Sequence, residues 1–150
     1  MRYVFRDAGG AFDLTSYEDY LEQERERLVQ FLNCRSLLDI ERFTLAGSGS
    51  FHDSRIQHLN VIANTPTEAG SAHGGLQVEL RLKGPYFDRY FDLAYVHVGT
   101  CKVEVRAPDA DLLIHEIRTE GNFLTHEIYF DGGGSIEIVC GRLHFQEVLL

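Results

Sequence analysis

Two places in this chain gather the side chains that do chemistry. One is the stretch Phe51-His52-Asp53-Ser54-Arg55-Ile56, with His58 two residues further on. An imidazole beside a carboxylate can work as an acid–base pair, and a guanidinium can hold a carboxylate or a phosphate through parallel hydrogen bonds. Adjacent side chains on an extended strand point to opposite faces, so His52 and Asp53 pair only if the chain turns there. The structural alternative has Asp53 or Ser54 capping a turn while His52 or Arg55 ties a helical segment to a sheet. The other place is not local: His115, His126 and Cys140 meet only if neighbouring strands align them. Two imidazoles and a thiolate are ligands that suit zinc or another borderline metal.

Other chemistry is missing from the 150 residues. There is no G-x-S-x-G, no G-x-x-x-x-G-K-S/T and no H-E-x-x-H. Gly132-Gly133-Gly134 falls at an expected hairpin, not between a strand and a helix, so it does not read as a phosphate cradle. Cys34, Cys101 and Cys140 make an odd count without C-x-x-C spacing, which points away from a disulfide framework and towards reduced thiols in a cytosol. Cys34 and Cys101 have no base that the sequence identifies.

The elements that must position these residues come next. Residues 1–13 read as a short edge strand or arm that ends in a turn at Gly9-Gly10. Thr15-Ser16-Tyr17-Glu18 has capping-box spacing, so a helix is expected from there to about Asn33. Tyr17, Tyr20, Leu21, Leu28, Phe31 and Leu32 recur along it at three- and four-residue intervals, and the charged run from Glu22 to Arg27 reads as its solvated face. A second short helix fits residues 36–43, followed by a flexible joint at 47–50. Beyond Phe51 the period changes to two, most clearly in Leu76, Val78, Leu80 and Leu82. A strand at about residues 54–62 precedes it, and the Pro, Thr, Ser and Gly content of residues 63–75 predicts a mobile loop between them.

Turn chemistry then suggests register. Gly99-Thr100 fits a hairpin pairing Val98 with Cys101 and Val96 with Val103. A turn at Glu120-Gly121 sets Leu124 opposite Ile117, His126 opposite His115 and Ile128 opposite Leu113. A three-residue loop after Asp131 pairs Phe130 with Ile136, Ile128 with Ile138 and His126 with Cys140. Leu113, Ile117, Leu124, Ile128, Phe130, Ile136 and Ile138 then share one face, and Leu143 and Phe145 of a last strand add to it. The same alignment places His115, His126 and Cys140 in one row, with Cβ neighbours about 4.5–5.5 Å apart. The outer two are then roughly 9–10 Å apart at the backbone, a long reach for one ion. The alternative is three partly buried core residues with hydrogen-bond partners.

The expected architecture is α+β in a single domain spanning residues 1–150: a mostly helical segment at 1–50 and a largely antiparallel meander at 51–150. That meander has about six to eight strands, with the N-terminal helix packed on one face. The 44% apolar content supports a core. No apolar run approaches the roughly 18–20 residues of a membrane span, and Met1-Arg2-Tyr3-Val4-Phe5-Arg6-Asp7 lacks the apolar stretch of a secretory signal, so a cytoplasmic protein is expected. A net charge of −9 disfavours nucleic acid and would steer in a basic partner.

The residues Phe51-His52-Asp53-Ser54-Arg55-Ile56, after a Tyr- and Leu-rich helix and before Gly- and charge-punctuated strands, resemble the aromatic-or-Leu-His-Asp-x-x-Ile signature of small uncharacterised bacterial proteins. Some of those are assigned as immunity proteins of toxin systems. The resemblance carries over no catalytic residue. From the acidic balance and the absence of a catalytic signature, the expected function is a non-enzymatic cytoplasmic binding protein, of the immunity type, that neutralises a basic protein partner and needs no cofactor. The alternative is a small enzyme or ligand-binding module built on His52, Asp53, Ser54, Arg55 and His58, or a zinc protein built on His115, His126 and Cys140. Pairing of exposed strand edges into a homodimer is a third class.

Overall fold

The structure, a computed structural model, describes residues 1–6, 8–45, 51–63, 75–107 and 109–150. The joint expected at 47–50 and residues 64–74 of the expected loop lie outside them. The class is α+β with antiparallel pairing in every described sheet. Strands β1 (Phe5–Arg6) and β2 (Phe12–Asp13) pair with each other and lead into helices α1 (Thr15–Gln23), α2 (Arg25–Phe31) and α3 (Cys34–Leu45). Among the described residues no helix is long and apolar enough to cross a membrane.

The helical caps differ from the capping box. Thr15 is the first residue of α1, and the acceptor for its backbone N–H is the Asp13 carboxylate at 2.9 Å. Glu24, at φ −97° and ψ 7°, interrupts the expected single helix between α1 and α2. Asn33 then starts α3 by accepting the Ser36 N–H on its side-chain oxygen at 2.7 Å. Short polar side chains satisfy the free N–H groups of a first turn in this way.

The meander is divided between two four-stranded sheets. The first has the order β10-β5-β4-β3, with β3 Arg55–Ala63, β4 Leu76–Lys83, β5 Arg89–Val98 and β10 Arg142–Leu149. The second has the order β6-β9-β8-β7, with β6 Thr100–Val105, β7 Leu112–Glu120, β8 Phe123–Phe130 and β9 Gly134–Cys140. Their inner faces meet in one core, with Leu80, Phe91 and Leu143 from the first sheet and Ile117, Ile128 and Ile138 from the second almost fully buried. An isolated bridge between Arg55 and Asp111 links the start of β3 to the approach to β7.

Three register expectations are corrected. Gly99-Thr100 is not a hairpin: β5 pairs with β10, β6 pairs with β9, and the chain changes sheets between them. His97 kinks there at φ 55°, the Gly99 N–H donates to the Val139 carbonyl, and the Gly141 N–H donates to the carbonyls of Val96 and His97. The two ribbons bend at the same point, a device by which strands move from one packed sheet to another. The β7–β8 turn is Gly121-Asn122, so Ile117 faces His126 and His115 faces Ile128. In β8–β9, Ile128 faces Ile136, His126 faces Ile138 and Leu124 faces Cys140. Both hairpins are displaced by two residues, and a displacement of two preserves every face because side chains alternate with a period of two. The one residue whose side changes is Leu113, at a bulge between Leu112 and Ile114; Leu112 takes the core position.

The helices close the open side. α3 lies against β10 and α2 against β7 and β8. From α1, the Tyr17 hydroxyl accepts the Ile117 N–H and the Tyr20 hydroxyl accepts the Thr119 N–H, both at 2.7 Å. The edge of β7 is thereby covered, leaving fewer free N–H groups for another strand to pair with.

Candidate functional site

The core brings two of the three expected row residues together and adds one that the sequence did not suggest. His115 Nδ1 lies 3.1 Å from His126 Nε2, and His126 Nδ1 lies 2.8 Å from the Tyr95 hydroxyl. Both histidines are 2% exposed and Tyr95 is fully buried. The Phe51 ring meets His115 edge-on at 4.7 Å between centroids, so the conspicuous 51–56 stretch touches the histidine pair through its aromatic residue. If Tyr95 donates to Nδ1 of His126, Nε2 of that ring carries the proton and donates to His115; reversing the Tyr95 bond reverses both donors. The chain Tyr95–His126–His115 is therefore hydrogen-bonded in either sense while remaining neutral.

Burial enforces that neutrality. It pushes the His115 pKa down to about 3. Burial also holds His126 well below the usual imidazole value, with the neighbouring His115 adding to the effect, and raises the Tyr95 phenol well above its ordinary range. A charge in a water-free core is costly, so each group keeps its neutral form. A substrate in solvent cannot reach these imidazoles directly.

Cys140 does not complete the set. It is fully buried opposite Leu124, and burial pushes its thiol up to about 12. Both ring nitrogens of His126 are already bonded, and among the described residues no three His, Cys, Asp or Glu side chains converge to hold a metal ion. The row is thus a pair of core histidines with a tyrosine partner and a separate buried thiol. A β5–β6 hairpin, as the Gly99-Thr100 spacing suggests, gives Tyr95 no place beside His126; the pairing of β5 with β4 and β10 does. The only sequence signal of Tyr95 was a polar hydroxyl at an inward position of the Phe91, Leu93, Tyr95 alternation.

The 51–55 stretch makes the turn that an acid–base pair requires. Asp53 has φ 63°, the Ser54 N–H donates to the Phe51 carbonyl, and the backbones of Asp53 and Ser54 exchange hydrogen bonds with Leu112. His52 Nδ1 consequently lies 2.8 Å from Asp53 Oδ1, with both side chains exposed, while Ser54 is fully buried. Arg55 does not tie a helix to the sheet. Its Nε donates to Asp111 Oδ1 at 2.6 Å, joining β3 to the segment before β7. The Asp111 hydrogen bond and charge raise the Arg55 pKa most, with smaller contributions from Asp109 and Asp131. Asp131 and Asp111 are joined in turn: the Asp111 N–H donates to the Asp131 carboxylate, and the Asp131 N–H to the Asp111 carbonyl. His58 is elsewhere, facing outward on β3 opposite Arg81, which Asp92 holds in two hydrogen bonds of 2.6 and 2.7 Å.

Two further features have no local sequence signature. The Glu116 carboxylate, fully buried, accepts the N–H groups of Arg2, Tyr3 and Val4 at 2.7–3.1 Å and strap residues 1–4 to the outer face of the second sheet. Beside this strap lies a cleft of about 580 Å³ bounded by Val4, Phe12, Leu113, Ile114 and the glycines after Asp131. Scans against protein-family models, curated proteins and solved structures gave no match for this chain.

Proposed function

We propose that the protein works by binding and that it neutralises a basic protein partner, in the cytoplasm, in the manner of an immunity protein. The observation that supports this reading is the acidic end around Arg55. Asp53, Asp109 and Asp131 are exposed there, and the Arg55 guanidinium beside them is engaged by Asp111. Lys83 of β4, paired with Arg55 of β3, holds its ammonium over the Phe87 ring at 4.7 Å. The net charge of −9 extends the same field over the molecule and favours fast encounter with a cation-rich surface.

Capture from a lysate of the source cell tests the proposal. A basic protein should be retained at low salt and released as salt rises, because exposed charge pairs are screened over about 8 Å at physiological ionic strength. Retention of no protein at low salt refutes it.

A second reading, a small acid–base or ligand site, rests on the His52–Asp53 contact of 2.8 Å at the surface. A small molecule that raises the melting temperature of the protein but not of its His52→Gln variant would favour this reading over the first.

A further inference from the structure

The cleft between the N-terminal strap and the second sheet has a shape that regular strands would not produce. The bulge after Leu112 turns two successive aliphatic side chains, Leu113 and Ile114, towards it, whereas an unbroken strand would send one of them into the core. Val4 and Phe12 supply further apolar lining. On another side Gly132, Gly133 and Gly134, at φ 70°, 82° and 140°, make a stretch of wall with no side chains. A volume of about 580 Å³ is within the usual range for sites that enclose an organic group, about 300–1,000 Å³.

Its surroundings are acidic. Asp131 lines the cleft and is bonded to Asp111, which reaches Arg55. Near the glycines, Arg106 is paired with Glu104 at 2.7 Å. Each of these two guanidiniums thus has its own carboxylate, and the Met1 ammonium on the strap meets Glu127 at 3.1 Å, leaving Asp131 as a negative charge in the lining of an apolar hollow, with Asp109 acting on Arg55 nearby. We propose that this cleft receives a large apolar side chain of the partner, flanked in the partner's sequence by lysine or arginine. This rests on the reading of the protein as a binder of a basic partner and specifies the element recognised. The division of labour is common at interfaces: a buried anchor supplies most of the affinity, and surrounding charges set orientation and encounter rate.

Three peptides titrated calorimetrically against the full chain at low salt test it: acetyl-Lys-Lys-Phe-Lys-Lys-amide, the same peptide with Gly for Phe, and the same peptide with Glu for every Lys. The Lys-Phe peptide should bind about tenfold or more tightly than either of the others. Leu113→Trp, which fills the cleft, should reduce the Lys-Phe peptide to the level of the Lys-Gly peptide and leave the latter unchanged. Ile114→Trp is a second filling should the first variant not fold. Equal binding of the Lys-Phe and Lys-Gly peptides, or a preference for Phe that survives both fillings, overturns the cleft inference and leaves the basic-partner reading standing. Binding of the Glu-Phe peptide as tightly as the Lys-Phe peptide overturns the role of the flanking charge. If neither Lys peptide binds, the basic-partner reading fails and the inference goes with it.

Discussion

His126 and His52 carry the same side chain to opposite ends of the range of environments this fold offers. His126 is 2% exposed between two sheets, bonded to Tyr95 and His115, and held neutral by burial. His52 is at the surface, bonded to Asp53, on a turn that also presents the acidic end. The core region converts polar groups into structure: its hydrogen bonds are sheltered from water and salt, and removing a partner leaves an unpaired polar group with no solvent to replace it. The acidic end is the reverse, with contacts that contribute little to stability but create a field a partner can sense.

The largest way to break this contrast is His126→Ala. It opens a cavity, takes the Tyr95 hydroxyl's imidazole partner away and removes one hydrogen bond of His115, and should cost roughly 2–5 kcal/mol in urea unfolding, whereas His52→Ala should cost less than about 0.5 kcal/mol. A cost at position 126 matching that at position 52 would mean that the buried chain contributes nothing. Acid comes next. The folded His115 pKa is depressed to about 3 and that of His126 also lies well below the usual value. Between roughly pH 6.5 and pH 3 the unfolded chain therefore binds more protons than the folded one. This stability is fully present above about pH 6.5 and falls with pH through that window, at up to about 1.4 kcal/mol per pH unit for each histidine. A His115→Gln, His126→Gln double variant should show a shallower acid slope in pH-dependent melting.

Tyr95→Phe is a finer cut. It keeps the ring and leaves Nδ1 of His126 without its phenol, so a loss of about 1–3 kcal/mol is expected in thermal or urea unfolding. At the other end, Asp131→Asn should change stability by about 0.5 kcal/mol or less and yet weaken retention of a basic partner, measured as elution at lower salt. If Asp131→Asn instead unfolds the protein, the acidic end is structural and the contrast between the two regions disappears.

Much of this arrangement was legible in the chain, and the failures were systematic. The alternation of Val78, Leu80 and Leu82 located β4 and its buried face, and the helical spacing of Tyr17, Tyr20 and Leu21 located the covered face of α1. Faces in β7, β8 and β9 survived register slips of two residues because parity is insensitive to an even displacement. The hairpin turn itself was not determined, since Glu120-Gly121 and Gly121-Asn122 are both acceptable two-residue loops. Gly99-Thr100 was misread for a related reason: a short Gly-containing break between apolar alternations looks the same whether the chain reverses or turns a corner into a second sheet. The acid–base pair at His52 and Asp53 depended on whether the backbone turned, and the positive φ of Asp53 is what made it turn.

Local pattern alone placed the helical segment and most strands, gave the apolar side of β4 and of β7 to β9 except at Leu113, and showed that the chain carries excess negative charge, because periodicity and charge are properties of neighbours along the chain. The tertiary structure decided that the strands divide into two sheets, that Tyr95 meets His126, that Glu116 secures residues 1–4, and that Leu113 and Ile114 open onto a cleft rimmed by Asp131. Each of those contacts joins residues far apart in sequence; the change of sheet at His97 and the cleft at Leu113 arise where the backbone departs from regularity, and Tyr95 meets His126 because two sheets pack face to face, none of which residue types encode.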